Sequence, residues 1–224
     1  MPKSILFWRA FTHWIGGMGV LVFLLMLTQI SEGNAMYIMR AEVPGPSVGK
    51  LAPRMRSNSL ILYGIYTALT VLEAVILTIE GQSVFDAVTN AMSTAGTGGF
   101  SVRDMGIAAY GSPAVEWTIA VFMLLFGINF NLYYLILFGR IKQVFASEEL
   151  KVYTGIIAAA TLTVGINVMN YYGSFGDSIR KAFFQVTSVI STTGFSNVEF
   201  MNWPQLSRAV ILVLLKRHKQ LDSV

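Results

Sequence analysis

One segment of the chain occurs twice, and this duplication constrains the fold more than any other feature. Residues 84–101 read VFDAVTNAMSTAGTGGFS, residues 179–196 read IRKAFFQVTSVISTTGFS, and they align without a gap at an offset of 95. The identical pairs are Ala87/Ala182, Ser93/Ser188, Thr97/Thr192, Gly99/Gly194, Phe100/Phe195 and Ser101/Ser196. Each copy is typical of a short semi-polar helix that runs into a loop of small residues between apolar segments. A repeated loop of this kind is expected to line a passage with backbone.

The composition identifies an integral membrane protein. Hydrophobic residues make up 54% of the 224 positions and charged residues only 12%, with a mean hydropathy of +0.59, whereas soluble domains carry about 25% charged residues. The net charge of +4 does not indicate nucleic-acid binding, because the basic residues lie between apolar segments. The absence of cysteine excludes disulfide and thiol chemistry. The apolar segment near the N-terminus is too long for a signal peptide.

Five apolar segments are long enough, or nearly so, for a membrane-spanning helix of about 20 residues. We place them at 7–30, 57–80, 114–138, 152–172 and 203–215, the last ending at the basic run KRHK. The duplicated stretches lie between the second and third segments and between the fourth and fifth. Each has about a dozen residues before its loop, too few to span, so we predict re-entrant pore helices. The expected fold class is an all-α integral membrane protein of repeated helix–pore helix–helix units.

The distribution of Lys and Arg predicts the orientation. One side holds ten of them: Arg40, Lys50, Arg54, Arg56, Arg140, Lys142, Lys151, Lys216, Arg217 and Lys219. The other side holds six: Lys3, Arg9, Arg103, Arg180, Lys181 and Arg208. By the positive-inside rule the first side is cytoplasmic, so both loops face outward.

The loops have the composition that a cation-selective filter needs. A desolvated alkali cation requires a shell of oxygens, which backbone carbonyls supply where glycine permits unusual φ angles. The predicted ion-binding residues are Gly96, Thr97, Gly98, Gly99, Ser191, Thr192, Thr193 and Gly194. Phe100 and Phe195 are expected to wedge the loops against the scaffold. A glycine-rich turn between helices is the alternative for a single copy, and the second copy at the same offset favours the filter.

Several stretches resemble the Trk/Ktr/HKT superfamily of potassium transporters, most closely its TrkH/TrkG-type membrane subunits. The resemblance covers nearly all of residues 7–215. It is carried by the tandem filters STAGTGGFS and STTGFSN, by WRAFTHWIGGMG (8–19), MRAEVPGP (39–46), KLAPRMR (50–56), GINFNLYY (127–134) and FQVTSVISTTGF (184–195). The tail KRHKQLDSV resembles nothing in that family.

The resemblance implies a pore of four repeats with pseudo-four-fold symmetry, here incomplete. Residues 1–32 would be the last helix of the first repeat, 33–143 the second repeat, and 144–224 a truncated third. The transported ion would be K⁺, without a tightly bound cofactor. The implied partners are membrane lipid, a second copy in a homodimer and a cytoplasmic nucleotide-binding TrkA-like regulatory subunit, with no nucleic acid. The location would be the cell inner or plasma membrane, crossed several times.

Two functions remain open at this stage. One is potassium uptake through the filter, and the other is a non-conducting remnant or assembly fragment of such a transporter. An intramembrane enzyme is disfavoured, because HExxH and paired aspartates within spans are missing from the sequence.

A few polar or aromatic residues in or near the spans also have alternative roles. Glu73 is either functional or a helix contact, and Asn129 and Asn131 either face a cavity or join helices. Trp203 is expected to anchor a helix start at the membrane interface.

Overall fold

The computed structural model describes residues 1–19 and 55–221, and the side chains within 1–19 and 60–215. The expectations for 20–54, including the rest of the first span and the linker motifs, lie outside the described residues. The helices are, in chain order, α1 (Lys3–Gly17), α2 (Met55–Ile79), α3 (Val84–Ala95), α4 (Pro113–Phe126), α5 (Phe130–Leu137), α6 (Ile141–Ala146), α7 (Glu148–Asn167), α8 (Met169–Tyr172), α9 (Phe175–Ile190) and α10 (Gln205–Leu221). Short 3₁₀ turns cover Gly106–Tyr110 and Phe200–Asn202.

The long apolar helices confirm an all-α integral membrane fold. Leu60–Ile79 within α2 and Glu148–Asn167 (α7) are each long and apolar enough to cross a membrane. The pair α4 and α5 forms a third crossing only if counted together, because the two helices are bent by 88°. The apolar part of α10, Gln205–Leu215, is shorter. Contrary to expectation, the α10 helix continues through the basic run as far as Leu221.

The two predicted pore helices are α3 and α9. Ser83 caps α3 by accepting a hydrogen bond from the Asp86 backbone N–H at 3.1 Å. The 12 residues of α3 rise about 18 Å, against a hydrocarbon core of about 30 Å. The second pore helix begins at Phe175, before the start of the duplicated stretch. Each pore helix rests on the helix that ends the preceding unit, α3 on α1 and α9 on α4.

Helices end inside two of the expected spans, so neither segment is a single continuous helix. In the segment predicted from residue 7 to 30, α1 ends at Gly17 and Gly19 adopts φ +78°. The segment predicted from 114 to 138 breaks between Phe126 and Phe130. Asn129 caps the second half by accepting from the Asn131 N–H at 3.0 Å, so its role is to start a helix within the break.

Tyrosine hydroxyls occupy both breaks in the same way. The hydroxyl of Tyr66 donates to the Trp14 carbonyl at 2.9 Å, and that of Tyr153 donates to the Leu124 carbonyl at 3.3 Å. Each of these carbonyls lies three residues before a glycine, Gly17 or Gly127, where a Cβ would overlap the same tyrosine hydroxyl. The next carbonyls are bonded as well: Tyr63 donates to Ile15 at 3.4 Å and Tyr133 to Leu125 at 2.8 Å. Carbonyls released by the end of a helix therefore keep a donor.

Candidate functional site

The loops that follow the pore helices, loop 1 (residues 96–101) and loop 2 (residues 191–196), share unusual backbone angles. Thr97 and Thr192 have φ of +49° and +56°, and they are the only non-glycine residues with positive φ among those that the structure describes. Gly99 and Gly194 have φ of +66° and +81°. A threonine in this conformation costs about 1–2 kcal/mol. The surrounding structure therefore holds the same strained shape in both loops.

The turns into the two loops use equivalent hydrogen bonds. The first pair runs from Gly96 N to Met92 O at 2.9 Å, and from Ser191 N to Thr187 O at 2.9 Å. The second pair runs from Thr97 N to Thr94 O at 3.1 Å, and from Thr192 N to Val189 O at 3.2 Å. Both hydrogen bonds at the start of loop 1 therefore recur at the start of loop 2, at the sequence offset of 95. The repeat extends from the sequence to backbone geometry.

A serine on each pore helix holds the far end of its loop. The Ser93 hydroxyl accepts a hydrogen bond from the Phe100 N–H at 2.8 Å. The aligned Ser188 hydroxyl donates to the Phe195 carbonyl at 2.6 Å. Both serines are fully buried. In both copies the shared serine therefore binds the backbone of the shared phenylalanine. The serine accepts the hydrogen bond in the first copy and donates it in the second.

A buried amide lies behind each loop, at a position that the sequence analysis did not single out. The Asn90 amide nitrogen donates to Gln82 Oε1 and to the Tyr110 hydroxyl, both at 3.0 Å. The aligned Gln185 donates to Ser196 Oγ and Asn197 Oδ1, both at 3.2 Å. The signal was present in the alignment, since the two amides are paired at the same offset. Asn90 ties α3 to the segment before it and to the chain beyond loop 1. Gln185 ties α9 to the last residue of loop 2 and to the residue after it.

The two loops lie directly against each other. A Cβ placed on Gly99 would overlap the Thr193 carbonyl oxygen and stand 3.0 Å from the Phe195 nitrogen. The Ser191 and Thr193 hydroxyls bond each other at 2.7 Å and are buried. Those side chains therefore stabilise loop 2 internally, and the backbone is what this part of the loop offers to a ligand.

The two phenylalanines that end the loops differ in environment. Phe195 is 2% exposed and belongs to the apolar core that includes Ile119 and Met123. Phe100 is 42% exposed and is covered on one side by Arg9 and His13 of α1. The expected wedge therefore describes Phe195 well, whereas Phe100 is held by polar side chains.

Charged residues surround the outer ends of the pore helices. Arg103 bonds the buried Asp86 at 3.2 Å, and this pairing raises the pKa of Arg103. Burial also raises the pKa of the Tyr110 hydroxyl. Asp177 bonds Arg180 at 2.6 Å, whereas Asp104 and Glu199 are exposed.

A buried ionic cluster joins the two units. Glu116, at the start of α4, accepts hydrogen bonds from Arg180 Nε at 2.9 Å and from Lys181 Nζ at 2.5 Å. The Glu116 side chain is only 6% exposed, and both cations on α9 are less than one-fifth exposed. The cluster therefore fixes the outer end of the second pore helix to the preceding unit.

Two further sequence expectations have a structural outcome. Glu73 is fully buried in α2, where it approaches Thr94 of α3 without a hydrogen bond of ordinary geometry. Its side chain therefore lies between helices, behind loop 1. Trp203 is only 2% exposed and donates to the Tyr172 hydroxyl at 2.9 Å. The expectation of an interfacial anchor at Trp203 is therefore wrong, because the ring is part of the protein core.

Two short re-entrant helices that end in strained, adjacent loops, set among apolar spanning helices, define a pore-loop membrane protein. The family model described as TrkH, cation transport protein, matches residues 1–154. The chain belongs to this TrkH family.

The relatives and a solved structure agree with this assignment. The chain is 34% identical over 218 residues to the Trk system potassium uptake protein TrkH of Escherichia coli K12, covering 95% of this chain and 45% of that protein. It is 28% identical to TrkG of the same organism, covering 96% and 44%. The crystal structure of the potassium transporter TrkH from Vibrio parahaemolyticus matches with a TM-score of 0.79 at 28% identity, covering 96% and 44%.

The family assignment confirms the resemblance to TrkH/TrkG-type proteins and the multi-pass membrane location. The family is one of transport proteins rather than enzymes. The chain spans somewhat less than half the length of these relatives.

Proposed function

We propose that this chain supplies two adjacent units of a potassium uptake pathway and that loops 1 and 2 are two strands of its selectivity filter. The observation that carries the proposal is the repeated positive φ at Thr97/Thr192 and Gly99/Gly194 in loops that touch. The proposed ion-binding residues are Gly96, Thr97, Gly98, Gly99, Ser191, Thr192, Thr193 and Gly194, with Phe100 and Phe195 as supports. The relatives named as potassium uptake proteins support K⁺ as the ion.

The physical reason is preorganisation of the backbone. A filter must replace the water shell of the cation with oxygens that are already in place. In loop 2 the Ser191 and Thr193 hydroxyls bond each other, so the backbone carbonyls would be the ligands of the ion. The serine bonds to Phe100 and Phe195 fix the far end of each strand. No tightly bound cofactor is needed for such a site, since the transported ion is its only ligand.

The domain division proposed from the sequence fits this role. Residues 33–143 and 144–224 would each contribute one strand, and residues 1–32 would end a preceding unit. We further propose membrane lipid, a second copy and a cytoplasmic TrkA-like nucleotide-binding subunit as partners. The expression "Trk system" in the relatives' names is consistent with several components.

The second candidate, which the sequence left open, is a non-conducting remnant or assembly fragment of such a transporter. Two strands complete only half of a four-stranded ring of carbonyls. Backbone groups on the open side would face lipid, at several kcal/mol each. We therefore expect the 224-residue chain in potassium-loaded vesicles to show no selective flux above a control membrane protein.

The test uses a bacterial host that lacks its own potassium uptake. The chain is expressed alone, and also in place of the matching segment of the Escherichia coli relative. The chimaera should restore growth at low potassium and K⁺-selective uptake, whereas the chain alone should not. Immunoblots confirm equal membrane insertion. An inserted chimaera that takes up no potassium would contradict the proposal, and selective flux through the chain alone would favour a pore made by two copies.

A further inference from the structure

The two loops end in aligned phenylalanines that are held by different chemistry. Phe195 lies in an apolar cluster with Ile119 and Met123 of α4. Phe100 lies under the Arg9 guanidinium, 4.5 Å from the ring centroid, and beside the His13 ring at 5.1 Å. The chemistry therefore changes from apolar in one unit to cationic in the other.

The residues Arg9 and His13 occupy positions on α1 that are equivalent to those of Ile119 and Met123 on α4. The tyrosine bonds at Trp14 and Leu124, and the glycines that follow them, align α1 with α4 at an offset of 110. At this offset Arg9 corresponds to Ile119 and His13 corresponds to Met123. The helix packed against the pore helix of loop 1 therefore has an arginine and a histidine at the positions where the helix packed against the pore helix of loop 2 has an isoleucine and a methionine.

Arg9 has a second contact with the end of loop 1. Its Nη2 donates to the Ser101 carbonyl at 3.2 Å, across 92 residues of sequence. The side chain is half-buried, and none of the ion pairs among the described residues involves it. A partly buried charge without a counter-ion acts on its surroundings more strongly than a solvated one.

We infer that Arg9 is a positioning residue that both fixes the outer end of loop 1 and lowers the affinity of the filter for external cations. The hydrogen bond to Ser101 holds one carbonyl away from the ion path, and the stacked guanidinium places a positive charge beside the entrance. Loop 2 has no such charge at the equivalent position, since Ile119 stands there. The inference rests on the proposed function, because it requires these loops to conduct.

The experiment measures the KM and maximal rate for external K⁺ in the uptake-competent chimaera. Arg9→Ile installs the residue found in the other unit, and Arg9→Gln removes the charge while keeping a donor for Ser101. Both should lower KM about fivefold, the scale expected for a unit charge near the ion path. Arg9→Lys retains the charge and should keep KM within about twofold.

The matched control is Lys3→Ile. Lys3 lies on the same helix, six residues before Arg9 and 5.4 Å from the Phe85 ring at the start of α3, so the substitution removes an equal charge and should leave KM unchanged. A KM for Arg9→Gln equal to that of the parent would overturn the inference, as would an equal decrease in Lys3→Ile. A purely structural role predicts changes in maximal rate without a decrease in KM. Absence of uptake in the unsubstituted chimaera would instead contradict the proposed function.

Discussion

Alanine substitution of the two aligned filter glycines should have unequal effects. Gly99 and Gly194 both have positive φ, +66° and +81°, so each alanine carries backbone strain of about 1–2 kcal/mol. At Gly99 the new Cβ would also overlap the Thr193 carbonyl oxygen, which adds about 1–3 kcal/mol of overpacking. At Gly194 no described atom lies within 4 Å of the Cβ position. We expect a loss of about 3 kcal/mol for Gly99→Ala and about 1–2 kcal/mol for Gly194→Ala.

The measurement is the unfolding free energy of the purified chain in detergent, from denaturant titration followed by helical circular dichroism. Gly111→Ala is the control for strain alone, because Gly111 has φ +59°, is exposed and has open space around its Cβ position. Gly194→Ala should match it. Equal losses for Gly99→Ala and Gly194→Ala would refute the claim that loops 1 and 2 pack against each other at Gly99.

The same glycines test selectivity separately from stability. In the uptake-competent chimaera, Gly99→Ser and Gly194→Ser should each weaken the preference for potassium over sodium, because both residues are proposed to shape one ion-coordinating layer. The effect on selectivity should therefore be shared, whereas the effect on stability should not. Unchanged selectivity in both variants would remove the two glycines from the proposed filter.

Three further predictions follow from other contacts. Removing the hydroxyl by Tyr66→Phe or Tyr153→Phe should cost about 1–2 kcal/mol each, since a carbonyl at a helix break loses its donor, and wild-type stability in both variants would contradict the pairing. Glu116→Gln should cost about 3 kcal/mol, because two partly buried cations lose their carboxylate, and the loss should disappear when both cations are also neutralised. Since the chain has no cysteine, single cysteines at Ser112 and Lys142 report topology, and an impermeant thiol reagent on intact cells should label only the first; the opposite pattern would invert the orientation.

The duplicated sequence predicted the pore helices because its signal is local. A short semi-polar helix followed by small residues can be recognised in one window, and the second copy makes chance unlikely as an explanation. The same alignment predicted unusual φ angles at Gly99 and Gly194 but not at Thr97 and Thr192, because a β-branched residue ordinarily avoids positive φ. The strain at threonine arises from the tertiary bonds around each loop, which the sequence pattern does not contain.

The helix breaks were invisible to the sequence for a different reason. The segment from 114 to 138 is predominantly apolar, so hydropathy predicts one span whether the helix is straight or bent by 88°. The break depends on a distant donor, the Tyr153 hydroxyl, that satisfies a released carbonyl. Hydropathy measures transfer of side chains to lipid and contains no information about such a donor. The Trp203 error has a similar origin, because an aromatic residue at a helix start is equally compatible with a buried position.

The geometry of each loop depends on the unit before it. Loop 1 presses its Gly96 backbone against the His13 and Trp14 backbone of α1, and α9, which carries loop 2, is held to α4 through Glu116. Loop 2 in turn fills the space beside Gly99, whereas the equivalent space beside Gly194 is open among the described residues. If the repeat continues, a further loop would occupy that space as loop 2 occupies the space beside Gly99. The strained filter shape would then be a property of neighbouring units, which is why two units alone are not expected to conduct.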